Sequence, residues 1–355
     1  MKRILISTVL LSLLLNISGQ TQLSTYQPGV TQEGAIYCLP KTAIRVTILV
    51  EKTTYKPGDL CKYAERYLRL NNVSPVPSES YALIDISEQA IAVADTTKIY
   101  AMKFDSKTSA CNVALSDDGI LLAINATPRE QERVKPFVSS PRAATVNPRQ
   151  YMSEEILAAG STAKMAELTA RDIYEIRESR NLLVRGQADN MPKDGEQLRL
   201  MLSQLDLQDR AMTSLFEGVT TIDTTEYSFV VAADKDTEQQ ILFRLSRQLG
   251  VVDADDLAGT PYYISITNLH SVPSPDPVIK KKGKQEQGVY VNIPGKMRSV
   301  VSTVTGELLN EELPAPQFGN TELLSGALFN KRYTTHLWLN PLTGAVDRLE
   351  AEQPR

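Results

Sequence analysis

Residues 37–61 read YCLPKTAIRVTILVEKTTYKPGDLC, and this stretch decides the fold. Over residues 43–51, Ile44, Val46, Ile48 and Val50 alternate with Arg45, Thr47 and Glu51, and Leu49 is the one exception. Successive side chains of a strand point to opposite faces, so a period of two in β-branched residues specifies a strand buried on one side. Lys56-Pro57-Gly58-Asp59 then reads as a turn, because proline fixes its own φ and glycine tolerates positive φ. Leu60, Ala64, Tyr67 and Leu68 follow at helical spacing and predict a short helix. The letters LPKTA resemble a sortase signal. Such a signal belongs near a C-terminus, ahead of an apolar segment; here a strand stands directly behind it, and Pro40 reads as the lead-in to that strand.

Outward from this stretch, the N-terminal side begins with Lys2 and Arg3, continues as ILISTVLLSLLL and reaches small residues near Gly19. That pattern is a secretory signal peptide over residues 1–19. The apolar run is shorter than the ~20 residues a membrane span needs, and no later segment comes close. Residues 20–127 read as a β-rich domain with one short helix. Further strands are expected at 81–86 and 99–104, and a hairpin at Ser116-Asp117-Asp118-Gly119. Prolines cluster over 128–150, which marks a linker.

Residues 151–355 read as a helical segment followed by a larger antiparallel β domain. Helices are expected at 152–159, at 162–184 and over DGEQLRLMLSQLDLQDRAMTSLFEG, residues 194–218. In the last of these, Asp194 caps the first turn, Gln197 completes a capping box and Gly218 is the stop. Leu198, Met201, Leu202, Leu205, Met212, Leu215 and Phe216 form its apolar stripe. From residue 220 onward short strands recur between turn signals, as in a sandwich or open barrel. The fold class is therefore α+β: a β-rich N-terminal domain, a helical middle and a larger antiparallel β domain.

Composition excludes some functions. The chain has 38 Lys and Arg against 42 Asp and Glu, a formal net charge of −4, so it carries no electrostatic footprint for nucleic acid. The run Lys280, Lys281, Lys282 and Lys284 reads as a solvated loop. Cys38, Cys61 and Cys111 are an odd set whose pairing stays open. No CxxC or Cys-His pairing suggests a metal, and no His lies near the cysteines to activate one. His270 and His336 are the only histidines. There is no GxSxG elbow, P-loop or GxGxxG, so no catalytic residue and no cofactor is expected. Asp253, Asp255 and Asp256 lack calcium-loop spacing and read as a turn.

The polar faces of the late strands each carry an aromatic. Tyr263 goes with Ser265 and Thr267, Tyr290 with Asn292, and Trp338 with His336 and Asn340. If the strands were neighbours, Tyr263, Tyr290, His336 and Trp338 would form a glycan-contact face. Otherwise these residues are ordinary cross-strand partners.

LPKTAIRVTILVEKTTYKPGDLCKYAERYL, DNMPKDGEQLRLML, DDLAGTPYYISI and LFNKRYTTHLWLNPLTGAVDRLE together resemble a secreted family of Bacteroides-like bacteria known as domain of unknown function 4831. The resemblance spans nearly the whole chain after the signal peptide. It brings no activity, substrate or catalytic residue; it implies the periplasm or cell envelope of a Gram-negative bacterium. In that setting Asp95-Thr96-Thr97 and Asp223-Thr224-Thr225 look like O-glycosylation acceptors at Thr96 and Thr224, against the plainer reading of polar turns. The expected function is non-enzymatic binding or scaffolding, with an envelope protein or a glycan as partner and the oligomeric state left open. A carboxylate-dependent glycan hydrolase is the alternative, and assembly by strand donation is a third possibility.

Overall fold

The computed structural model describes residues 22–25, 35–103, 112–129, 137–138, 146–273, 288–329 and 333–353. The first sheet has the order β1-β3-β2-β6, formed by β1 (Gln22–Thr25), β2 (Ala35–Lys56), β3 (Ser78–Lys103) and β6 (Val219–Ala232). The alternation in β2 works as its sequence requires: Ile44, Val46, Ile48 and Val50 are all buried. They face a second sheet, β11-β10-β9-β7-β8, built from β7 (Thr237–Ser246), β8 (Gly250–Val252), β9 (Thr260–Asn268), β10 (Gly288–Thr303) and β11 (Gly306–Ser325). Phe243, Ile264, Ile266, Met297 and Val301 fill the space between them. The Phe243 ring stacks on Phe229 at 5.1 Å and on Tyr262 at 4.5 Å.

A third sheet, β13-β12-β5-β4, consists of β4 (Val113–Leu115), β5 (Leu121–Ile124), β12 (Thr334–Leu339) and β13 (Val346–Glu352). Its inner face joins Tyr37 and Leu39 of β2 and Val289 and Val291 of β10 in a second core. Helices form the third core beyond the other end of β2. There α1 (Ala64–Leu68), α2 (Glu154–Leu157), α3 (Thr162–Arg185) and α4 (Gly195–Glu217) bury Leu60, Ile156, Ile173, Met212 and Phe216. β2 has 22 residues, which at ~3.3 Å per residue spans about 70 Å. The three cores are thus strung along one strand and the turn that follows it. All three sheets are antiparallel and open, so the α+β class holds, and the sandwich rather than the barrel describes its β part.

Two side-chain amides, Gln317 half-buried and Asn292 buried, lock the sheets together. The Gln317 side chain accepts from Thr42 N–H at 3.0 Å and donates to Thr42 O at 2.9 Å and Ala233 O at 3.0 Å. It takes the place of a strand neighbour where the β2–β6 ladder ends at Ala43 and Ala232. Asn292 Nδ2 donates to Pro40 O and Thr343 O, both at 2.9 Å, and Asn292 N–H donates to Gly344 O at 3.1 Å. β2, β10 and the β12–β13 turn therefore meet on one side chain.

Several sequence expectations change. The strands expected at 81–86 and 99–104 are parts of β3, one strand of 26 residues, and Phe104 lies outside the described residues. Pro40 sits inside β2, where Ala94 pairs with Pro40 and Ile99 with Cys38, so residues 95–98 bulge out of β3. A residue without an N–H is tolerated at such a break in the ladder. Gly58 is needed for close approach rather than for positive φ. A Cβ there would fall 2.0 Å from Leu215 O, because the turn presses on the end of α4 and Leu60 N–H donates to Leu215 O at 2.8 Å.

Of the helix expected over 152–159 only the single turn of α2 forms, preceded by a 3-10 turn at Pro148–Tyr151. The short strands expected from residue 220 onward leave out residues 307–325, where β11 forms. Its prolines, Pro314 and Pro316, argue against a strand in isolation and suit one at a sheet edge. The α4 cap is present, with Asp194 accepting from Gln197 N–H at 2.7 Å. Gln197 reaches back one residue further than a capping box requires, to Lys193 N–H at 3.2 Å.

The signal peptide expected over 1–19, the lysines at 280–284 and most of the expected linker at 128–150 lie outside the described residues. Strands on either side of that linker share two sheets, through β2 with β6 and β5 with β12.

Candidate functional site

A cleft of about 610 Å³, lined by described residues, opens between α1 and α3. Arg69 closes α1 in the left-handed conformation, φ 60°, and so turns the chain away after Leu68. Tyr174 of α3 donates its hydroxyl to the Tyr67 carbonyl at 2.9 Å, which fixes the two helices against each other. The lining is Tyr67 from α1 and Glu167, Ala170, Arg171, Tyr174, Glu175 and Glu178 from α3. These α3 positions recur every three or four residues, so they form one helix face.

Ala170 is buried and makes the floor, while Tyr174 is 49% exposed and forms a rim. Arg66 lies over the Tyr67 ring, 5.4 Å from its centroid. Arg171 contacts Glu155 at 2.8 Å, Glu175 at 3.7 Å and Asp172 at 3.9 Å, and Lys164 pairs with Glu167 at 3.0 Å. All of these charges are open to solvent apart from Asp172, so each pair contributes little to stability, about 0–1 kcal/mol. Glu167, Arg171, Glu175 and Glu178 set acceptors and a donor around the two phenol rings of the cleft.

The residues proposed for a glycan face fall in three places. Tyr263 is half-buried on the outer face of β9, opposite Ser302. Tyr290 lies at the far end of β10, where its ring meets Tyr100 at 4.5 Å and its N–H donates to Tyr37 Oη at 2.9 Å. His336 and Trp338 do come together on β12, with rings 6.0 Å apart. His336 Nδ1 contacts Asn125 O at 2.5 Å, Trp338 Nε1 donates to Thr127 O at 3.1 Å, and Arg348 covers the indole at 5.2 Å.

Thr96 is exposed on the β3 bulge, beside an Asp95 carboxylate that accepts from Thr97 N–H at 2.9 Å and Thr97 Oγ1 at 2.6 Å. Thr224 lies within β6, opposite Glu51. Cys38 and Cys61 are free thiols, and Cys111 lies outside the described residues. Among the described residues no group of three or more His, Cys, Asp and Glu side chains gathers as a metal site. Asp253 and Asp256 form the turn the sequence suggests, with Asp256 N–H donating to Asp253 O at 3.0 Å.

Titratable groups crowd at the β3 bulge. Asp95, almost fully buried, lies near Cys38, Lys98 and Tyr100. Burial lowers the Lys98 ammonium against the opposing pull of Asp95; burial and then Asp95 raise both the Cys38 thiol and the Tyr100 phenol. The cleft escaped sequence reading because Tyr67 and Tyr174 are far apart in the chain. Its only trace was the dense charge on one face of α3.

No curated protein and no solved structure matches the chain. Residues 33–347 match the sequence model described as Domain of unknown function (DUF4831), and the chain belongs to that family.

Proposed function

We propose that this is an exported cell-envelope protein of a Gram-negative bacterium that binds a glycan without cleaving it, and that the cleft between α1 and α3 receives the ligand. The observation that carries this reading is the one-sidedness of the cleft: every carboxylate lining it comes from α3, and the facing wall is Tyr67. Glycoside hydrolysis needs two carboxyl groups flanking the scissile bond, one of them desolvated enough to stay protonated. Here the lining carboxylates are exposed; Glu167 is 54% and Glu175 71% accessible. Two tyrosines with carboxylates and an arginine suit a sugar instead, since a ring stacks on a phenol while hydroxyls pair with the charged groups. The charged start and apolar run of the sequence support export.

The test is calorimetric titration of the full chain with a panel of envelope and dietary oligosaccharides. A binding ligand should lose at least tenfold affinity in Tyr174→Ala and keep it in Tyr263→Ala. Release of reducing ends by the wild type, lost in Glu167→Gln or Glu178→Gln, would establish the hydrolase reading instead. No heat with any glycan removes the glycan reading.

A further inference from the structure

Between the two sheets of the sandwich, three oxygen-bearing side chains from three strands converge on one spot. Glu88 of β3 pairs in register with the buried Val46 of β2, and so faces inward, as does its neighbour Ile86. Ser299 of β10 sits between the core residues Met297 and Val301 and is fully buried. Glu311 of β11 is the register partner of Ser299, on the same side of the strand as Leu309 and Leu313, which pack on the core.

Both Glu88 carboxylate oxygens and the Ser299 hydroxyl are buried without a hydrogen-bond partner. Ser299 stands close enough to Glu88 to offset part of the rise that burial imposes on its carboxyl, but the pair falls short of hydrogen-bond geometry. Glu311 adds to that rise by repulsion. Partnerless buried polar atoms are uncommon, and a carboxylate held this way is costly unless a counter-charge reaches it.

We propose that Glu88, Glu311 and Ser299 form a binding site for a calcium-like divalent cation that ties edge strand β11 to β3. The donors are all oxygen, the set that hard cations take. Two carboxylates balance a divalent charge, and a buried hydroxyl supplies a neutral ligand. Glu311 is exposed, so the site opens to water along the seam between the two strands, and water completes the shell. Calcium accepts irregular shells of six to eight oxygens, whereas magnesium demands a near-ideal octahedron that a seam between two sheets does not offer. The site is separate from the α1–α3 cleft and does not depend on glycan binding.

The experiment is thermal unfolding of the full chain after EDTA treatment, followed by addition of CaCl2 or MgCl2, with calorimetric titration of CaCl2. Calcium at a hundredfold excess over its Kd should raise Tm by about 4 °C, with one ion bound and a smaller effect of magnesium. Glu88→Gln keeps the shape of the side chain and Glu311→Gln lies at the surface, so both should fold and lose the shift; Ser299→Ala should weaken it. The proposal is overturned if calcium leaves the wild-type Tm unchanged, or if both glutamine variants keep the full shift. A Glu88→Gln variant that is more stable than a calcium-insensitive wild type would identify Glu88 as a buried neutral acid.

Discussion

Asn292 holds three chain segments with one amide, donating to Pro40 O and Thr343 O from its side chain and to Gly344 O from its backbone. Truncation to alanine leaves two buried carbonyls without their donor, so Asn292→Ala should cost about 3 kcal/mol in urea unfolding. Asn292→Asp should cost more at neutral pH, because it turns a carboxylate toward the same two carbonyls. An aspartate variant as stable as the wild type would contradict this assignment. Cys38 gives a second prediction at this scale. Burial, and then Asp95, raise its thiol above the ordinary value, so thiolate forms later as pH rises. In a variant with Cys61 and Cys111 changed to serine, the midpoint of iodoacetamide labelling should lie at higher pH than that of a free cysteine. Asp95→Asn should bring the midpoint part of the way down, since burial is the larger cause. A midpoint at or below the ordinary thiol range would refute the environment described for Cys38.

Elements whose determinants are local are the ones the sequence reveals. The alternation of β2, the Asp194 cap of α4 and the hairpin at Gly119, φ 78°, are each specified within a few residues. β11 is illegible for the opposite reason. Its prolines are acceptable only because it lies at the edge of a sheet, and its Gly319 only matters because the chain passes Ile293, whose carbonyl would be 1.9 Å from a Cβ. The separation of Tyr263, Tyr290 and the His336–Trp338 pair is illegible for the same reason, since strand alternation gives the side a residue points to but not which strands become neighbours. Gly58 tests the principle. Gly-to-Ala changes in permissive turns stabilise by about 0.4–1 kcal/mol. Here a Cβ would meet the Leu215 carbonyl at 2.0 Å, so Gly58→Ala should instead lose about 1–3 kcal/mol as the turn lifts from α4. A neutral or stabilising result would show that the turn does not bear on the helix. At the other end of α4, Asp194→Ala should cost about 1 kcal/mol through the freed first-turn amide.

For the whole molecule, the division expected from the sequence, near residues 128–150, meets an arrangement in which β2 carries β3 on one edge and β6 on the other. Core residues from both sides of that division share clusters: Ile48 lies in one core with Phe243 and Met297, and Leu39 in another with Leu337. A chain linked in this way should unfold as one unit, because separating the parts strips β2 of hydrogen bonds and apolar contacts together. Two reporters make the test direct. Trp338, the only tryptophan, reports on the third sheet, and far-ultraviolet circular dichroism is dominated by α3 and α4 at the opposite end. Their urea midpoints should coincide. Ile48→Ala, at a fully buried position in the middle core, should shift both midpoints together by a loss of about 3 kcal/mol. If the fluorescence and dichroism transitions separate, or if Ile48→Ala moves only one of them, the sequence-derived boundary marks independently folding parts and β2 does not couple the three cores.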